Sequence, residues 1–375
     1  MKIKEIKTTP LFIPFKKTYV SSYGTMDGAN LILIEVVTDT NLSGYGECIA
    51  SPSPKGVEMF IKEAIKHLID KDPADNDKIM KQVYHNLFVN NGICSSPRFG
   101  GQILAGLEMA LWDVVGKSVS KPVHDLIGGA LHSKIDYFGF PNGDTPEIIA
   151  KEAKEFADQG HKVIYVKVGQ SEEIDIEIVK QTRKAIGASK RLRLDPNEKY
   201  DPDTFFKIVP KLIPYDIDFI EQPSHCESIA DLKFIHQKSP IKISADQIVF
   251  TPFNVFDVCK EEAADLFVLG LHETGGISRF VESSKIAEKS NINMCLHGLY
   301  ESGITTCAAM QAGAAIPNLD DGNQFMNHFL KWDIIEKDII KLQEGSMNVI
   351  KKPGLGFTLD YDNVKKASEL AQSII

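Results

Sequence analysis

Six short apolar runs in the middle of the chain each close on a polar residue or a glycine: Lys167, Asp195, Glu221, Asp246, Gly270 and His297, separated by 28, 26, 25, 24 and 27 residues. Three consecutive members of that series are carboxylates. Acids brought side by side repel and take up protons unless a cation sits between them. An all-oxygen set with room for water suits Mg²⁺. Lys167 stands one unit before the first acid, in "HKVIYVKVGQ" (161–170). Strand alternation puts Val163, Tyr165 and Lys167 on one face and Ile164, Val166 and Val168 on the other. An amine so placed must find a carboxylate, reach solvent or lower its pKa. If a cation holds a small carboxylate substrate, the amine can remove the proton from the neighbouring carbon through an enediolate intermediate. A positioned base contributes about 10²–10⁴-fold, and the cation must carry much of the rest.

Each acid taken singly also reads as a loop or helix cap, because Asp-Pro-Asn in "LRLDPNEKY" is a good turn. Lys167 likewise reads as a structural salt bridge to one of the acids. Register on adjacent strands favours the chemical reading, provided the strands converge.

The stride of the series is one strand, one helix and two short loops. Strands at "IDYFGF", "VIYVKV", "LRLD", "FIE", "KISAD", "LFVLG" and "NMCLH", with an eighth around 318–325, alternate with amphipathic helices as a parallel α/β arrangement. Seven or eight such units in a row predict a closed barrel, whose C-terminal strand ends meet on one face. Before it, "IKEIKTTPLFI", "ANLILIEVVT" and "LSGYGECI" predict an antiparallel meander. The helices "MFIKEAIKHLI" and "GGQILAGLEMALWDVVGKSV" follow, the second apolar nearly all round and therefore buried. The expected division is an α+β capping domain over 1–130, a barrel over 131–345 and a C-terminal segment, 346–375, that packs back on the cap. No Pro/Ser linker separates the first two, so they should be docked.

Hydrophobic residues make up 43% of 375, ordinary for a globular protein, and the net charge of −9 without a basic block argues against nucleic acid or an anionic membrane as partner. The N-terminus lacks the pattern of a signal peptide, and no run of eighteen apolar residues occurs. Six scattered cysteines without metal-site spacing read as reduced thiols. A cytoplasmic location, a homo-oligomer and a small-molecule carboxylate substrate are the expectations.

"NLSGYGEC", "LAGLEMALWDVVGKSVSKPVHDLIGG", "VIYVKVG", "LRLDPN", "FIEQP", "ISAD", "TGGIS" and "KPGLGFTL" together resemble the enolase superfamily, in its mandelate racemase and muconate lactonising branches. The resemblance implies a modified TIM barrel, (β/α)₇β, with an N-terminal α+β capping domain completed by the C-terminal tail. It implies Mg²⁺ at Asp195, Glu221 and Asp246, and Lys167 and His297 as the acid/base pair. The chemistry implied is abstraction of a proton α to a carboxylate of an acid sugar, hydroxy acid or amino-acid derivative. Racemisation, epimerisation or dehydration would follow.

Departures from the family pattern set further expectations. Tyr165 stands where a first lysine of Lys-x-Lys is common. It is assigned to substrate together with Tyr23 on the lid-like loop "TYVSSYGTMDGAN", Asn197, and Glu301 in "CLHGLYES"; inward barrel filling and a plain hairpin connection are the alternatives for the two tyrosines. Gln222 and Gln247 are placed behind the metal ligands. The sixth strand, where the family carries lysine or an aspartate paired with histidine, ends at Gly270, leaving His297 without a partner to fix its tautomer. His272 or Glu273 could substitute only if the strand end bulges inward, and an exposed loop is expected for both. The other readings are a cycloisomerase of the muconate lactonising type and a non-catalytic metal or ligand binder. A metal-dependent hydrolase would want several histidines at strand ends, and His297 alone qualifies.

Overall fold

Alternating apolar residues at the N-terminus form three antiparallel strands in the order β1 (Ile3–Ser21), β2 (Gly24–Thr38) and β3 (Ser43–Ile49), with Leu11 opposite Leu31 and Ile32 opposite Cys48. The computed structural model describes residues 1–21, 24–92 and 97–374. Helices α1 (Pro54–Ile65), α2 (Asn76–Leu87) and α3 (Pro97–Ser118) complete the capping domain. Glycines let α3 lie directly on β3: a Cβ at Gly46 would stand 2.1 Å from the Gly106 carbonyl, and one at Gly106 only 2.5 Å from Cys48 Sγ. The short α4 (Val123–Leu126) then leads into the barrel.

Six parallel strands follow, β5 (Val163–Lys167), β6 (Arg191–Asp195), β7 (Ile217–Glu221), β8 (Lys242–Ala245), β9 (Leu266–Leu269) and β10 (Asn293–Leu296), neighbours in sequence order. Helices α5 (Pro146–Asp158), α6 (Glu172–Ile186), α7 (Pro202–Leu212), α8 (Ile229–Lys238), α9 (Pro252–Glu261), α11 (Ile277–Lys289) and α12 (Gly303–Ala314) connect or follow them. The predicted first and eighth barrel strands differ from expectation. They close the ring by isolated bridges, Gly139 to Ile164, Tyr137 to Asn323 and Met294 to Leu319. What forms a ladder near the first is β4 (Lys134–Asp136), paired antiparallel with β11 (Ser346–Asn348) of the C-terminal segment. That segment ends in α13 (Tyr361–Ile374), which packs on β1, and Tyr361 reaches Tyr45 of β3 hydroxyl to hydroxyl at 3.2 Å.

Two buried carboxylates of the cap seat it on the barrel by capping helices. Glu108 of α3 accepts from the Ile277 and Ser278 amides at 2.8 and 2.9 Å, at the start of α11, whose own N-cap, Gly276, has no side chain. Glu47 of β3 accepts from Ser302 and Thr305 amides at 3.0 and 2.9 Å at the start of α12. Unsatisfied amides and the positive helix end make both good carboxylate sites. Burial still pushes the Glu47 carboxyl up to about 7, against the hydrogen bonds that lower it.

Beneath the C-terminal face, Arg193 lies wholly buried inside the barrel. It donates to Asp218, Asp320 and the Gly322 carbonyl at 2.8, 2.5 and 2.8 Å over the Phe219 ring. Arg193→Met leaves the Gly322 carbonyl without this donor and the two carboxylates with only the longer contacts to Arg191, at 3.6 and 3.8 Å. The two carboxylates keep some solvent access, so the expected cost is near the low end for a broken buried pair, about 3 kcal/mol, read from urea unfolding.

Among the described residues no helix is long and apolar enough to cross a membrane. Cys48, Cys226, Cys259, Cys295 and Cys307 are free thiols, and Cys94 lies outside the described residues.

Candidate active site

Strand parity carries the acids inward at one end of the barrel. Lys167, Asp195 and Glu221 are the last residues of β5, β6 and β7, while Asp246, Gly270 and His297 immediately follow β8, β9 and β10. The sheet order therefore sets the three acids in a row with Lys167 at one end and His297 at the other. All three acids are at most 1% exposed.

The hydrogen bonds show a set of oxygens short of protons. Tyr165 Oη lies 2.5 Å from Asp195 Oδ2 and 2.8 Å from Glu221 Oε1, with one proton to share between them. Glu221 Oε2 and both Asp246 side-chain oxygens are buried without a hydrogen-bond donor among the described residues. Burial, then the charges of Asp195 and Asp246, raise the Glu221 carboxyl well above the usual range. Burial likewise pushes Asp246 up to about 7, with His297 opposing. Buried oxygens short of donors on adjacent strands, with His297 Nδ1 3.5 Å from Asp246 Oδ1 as the nearest positive group to that residue, fit a hard divalent cation.

Lys167 is salt-bridged to Asp195 and sits 5.8 Å from the Phe140 ring centroid. Burial works against its charge, but Asp195 foremost outweighs that and holds the amine as ammonium. The structural and chemical readings of Lys167 thus concern one contact, since a cation competing for Asp195 would release the amine.

Several assignments change. Tyr165, expected at the substrate, is 1% exposed with its hydroxyl held between two carboxylates. Asn197, also expected there, turns its amide onto Asp195, Nδ2 to Oδ2 at 2.9 Å, while its backbone NH reaches Oδ1 at 2.7 Å. Glu301 is buried under its own loop, where it accepts from the Leu299 amide, and burial then Glu47 raise its carboxyl well above the usual range. Tyr23 lies outside the described residues. Gln222 stands behind Asp246, accepting from its amide at 3.0 Å, whereas Gln247 lines the open cleft with an Oε1 that has no hydrogen-bond partner among the described residues.

The largest correction concerns "GLHETGG". His272 and Glu273 are buried, at 2% and 1% exposure, and neither is in an exposed loop. The single turn α10 (Leu271–Thr274) starts at Gly270 and folds Glu273 back so that its Oε2 accepts from the Gly270 amide at 3.1 Å. The same oxygen lies 2.7 Å from His297 Nδ1. Glu273 is therefore the carboxylate partner that His297 was expected to lack, and the capping-box interval of three residues in "GLHE" was the available signal. Burial opposes a charged imidazole, but Asp246 and Glu273 outweigh it and raise His297. His272 stays neutral, its pKa lowered to about 4 by burial, with Nε2 3.0 Å from Thr305 Oγ1.

Beside this row opens a cleft of about 830 Å³ between cap and barrel, lined by Ile49, Arg98 and Phe99 of the cap and by Gln247, Phe250 and Tyr300 of the barrel.

Family models match both parts of the chain: the mandelate racemase / muconate lactonizing enzyme N-terminal domain over residues 5–128 and the enolase C-terminal domain-like model over 149–364. The chain belongs to that family. It is an enzyme of the racemase, epimerase and cycloisomerase type. Members that it resembles include the L-Ala-D/L-Glu epimerase of Bacillus subtilis, 27% identical over 95% of this chain and 96% of that protein. Muconate cycloisomerase 1 of Rhodococcus opacus is 26% identical over 97% and 98% of the two chains. The crystal structure of a dipeptide epimerase from Enterococcus faecalis, complexed with Mg and the dipeptide L-Leu-L-Tyr, superposes with a TM-score of 0.88 at 25% identity, covering 96% of this chain and 100% of that one.

Proposed function

We propose that this member is a Mg²⁺-dependent racemase or epimerase acting at the α-carbon of an N-acylated or peptide-linked amino acid. The observation that carries this reading is the placement of two acid/base groups at opposite ends of one row of acids, Lys167 salt-bridged to Asp195 and His297 held by Glu273. A cycloisomerase needs proton transfer on one side only, and a held, ionisable His297 has no task there. Asp195, Glu221 and Asp246 would hold the cation, which when bound stabilises negative charge developing on the substrate carboxylate. Lys167 takes the proton from one face, and His297 delivers one to the other.

The mainly apolar cleft walls favour an acyl group or an apolar side chain over a polyhydroxylated acid. The relatives named as acting on dipeptides agree with that choice.

The test is incubation of single enantiomers of dipeptides and N-acyl amino acids in D₂O with Mg²⁺, followed by NMR at the α-position. The reading expects deuterium in both enantiomers and inversion of either. His297→Asn is expected to remove exchange from one enantiomer by about 10²–10⁴-fold and leave the other exchanging without inversion. Exchange of both enantiomers at unchanged rates in that variant would rule out a two-sided mechanism.

A further inference from the structure

Among the described residues, His297 is tied to the capping domain through Glu273 and Arg98. Arg98, in the first turn of α3, places Nη2 3.1 Å from Glu273 Oε1. That oxygen has no other partner among the described residues, while Oε2 holds His297 Nδ1 and the Gly270 amide. The guanidinium also lies 5.0 Å over the Phe250 ring and borders the cleft, with 41% of the side chain exposed. A cation in the first turn opposes the helix dipole, so its position is not explained by helix stability.

We propose that Arg98 is a positioning residue for His297, acting through Glu273, so that the seating of the capping domain over the barrel sets the geometry of one of the two proton-transfer groups. The inference rests on the racemase reading above. Glu273 is almost fully buried, and a buried carboxylate keeps its orientation only while both oxygens are matched. With Arg98 in place, one oxygen faces the guanidinium and the other is free to fix the tautomer and ring plane of His297. Without it, the carboxylate can turn to share its oxygens between Gly270 and solvent in the cleft, and the imidazole loses its fixed partner. The effect should be confined to the His297 side, because Lys167 stands on β5 at the far end of the row.

The experiment compares α-deuterium exchange of the two enantiomers by the wild type, H297N and R98A, all saturated with Mg²⁺. H297N identifies the enantiomer whose proton faces the imidazole. R98A is expected to slow kcat for that same enantiomer about 10- to 100-fold, the size seen when a partner behind a reacting group is lost, and to leave the other within about threefold. R98K keeps the charge but not the planar fork, and should fall between the two. Added guanidinium ion should restore part of the lost rate in R98A, which a merely structural role does not allow. Equal loss for both enantiomers, or no loss for either, overturns the inference alone. A wild type that exchanges neither enantiomer overturns the racemase reading and the inference together.

Discussion

Lys167→Met is expected to abolish exchange of the α-proton facing β5, a loss of about 10²–10⁴-fold in kcat, and to stop inversion in both directions. Methionine has nearly the length of lysine and can reach toward the Phe140 and Tyr165 rings, whose centroids lie 5.8 and 5.4 Å from Lys167 Nζ. The variant should therefore fold and differ in one property, the missing amine. The strands should hold, since Tyr165 and Asn197 still contact Asp195. A two-sided mechanism makes the result asymmetric. The enantiomer whose proton faces His297 should still exchange with solvent, because the imidazole and Glu273 are untouched, yet no product of opposite hand can form once the lysine side has no proton to give. Residual inversion above a tenth of the wild-type rate would remove Lys167 from the mechanism. Silence of both enantiomers would point to damage at Asp195 instead, and a metal titration of the variant separates the two.

Much of this site is legible in the sequence because strand parity and a regular βα stride are local rules. Lys167, Asp195, Glu221, Asp246 and His297 each close a strand, and a barrel gathers strand ends whatever lies between them. What the sequence hides are contacts that cross elements at no fixed spacing. Glu273 reaches His297 because α10 folds back on Gly270, and a four-residue helix has no periodicity to detect. Arg98 meets Glu273 only after the cap has docked, which depends on Glu108 and Glu47 finding the helix starts at Ile277 and Ser302. Glu108, one of two acids inside the otherwise apolar "LAGLEMALWDVV", was a visible hint of that docking, since a buried carboxylate must have partners somewhere. Tyr165, for which contact with substrate and inward filling of the barrel were both open, is half legible for a different reason. Parity gives its face correctly but not its depth, and the hydroxyl stops at the carboxylates without reaching the cleft.

Glu221→Gln separates what the carboxylates do for binding from what they cost the fold. In metal-free protein, Glu221 stands buried between Asp195 and Asp246, with one oxygen lacking any hydrogen-bond donor among the described residues. Replacing it by the neutral amide removes the central repulsion and supplies two protons that the neighbouring oxygens can accept. The variant is therefore expected to be more stable than wild type in EDTA, by thermal melting. With Mg²⁺ the order should reverse. Wild type gains about 2.7 kcal/mol when free Mg²⁺ exceeds its Kd a hundredfold, while the variant, short of one anionic ligand, gains little at the same concentration. Catalysis should fall with it, by more than the about 10²-fold expected for loss of a single stabilising contact, because a poorly held cation weakens charge stabilisation across the whole row. The crossing of the two stability orders is the informative outcome. A functional site built from like charges is stable only when loaded, so a substitution that helps the empty fold should disable the full one. Equal melting of wild type in EDTA and in Mg²⁺ would show that these carboxylates do not hold the ion.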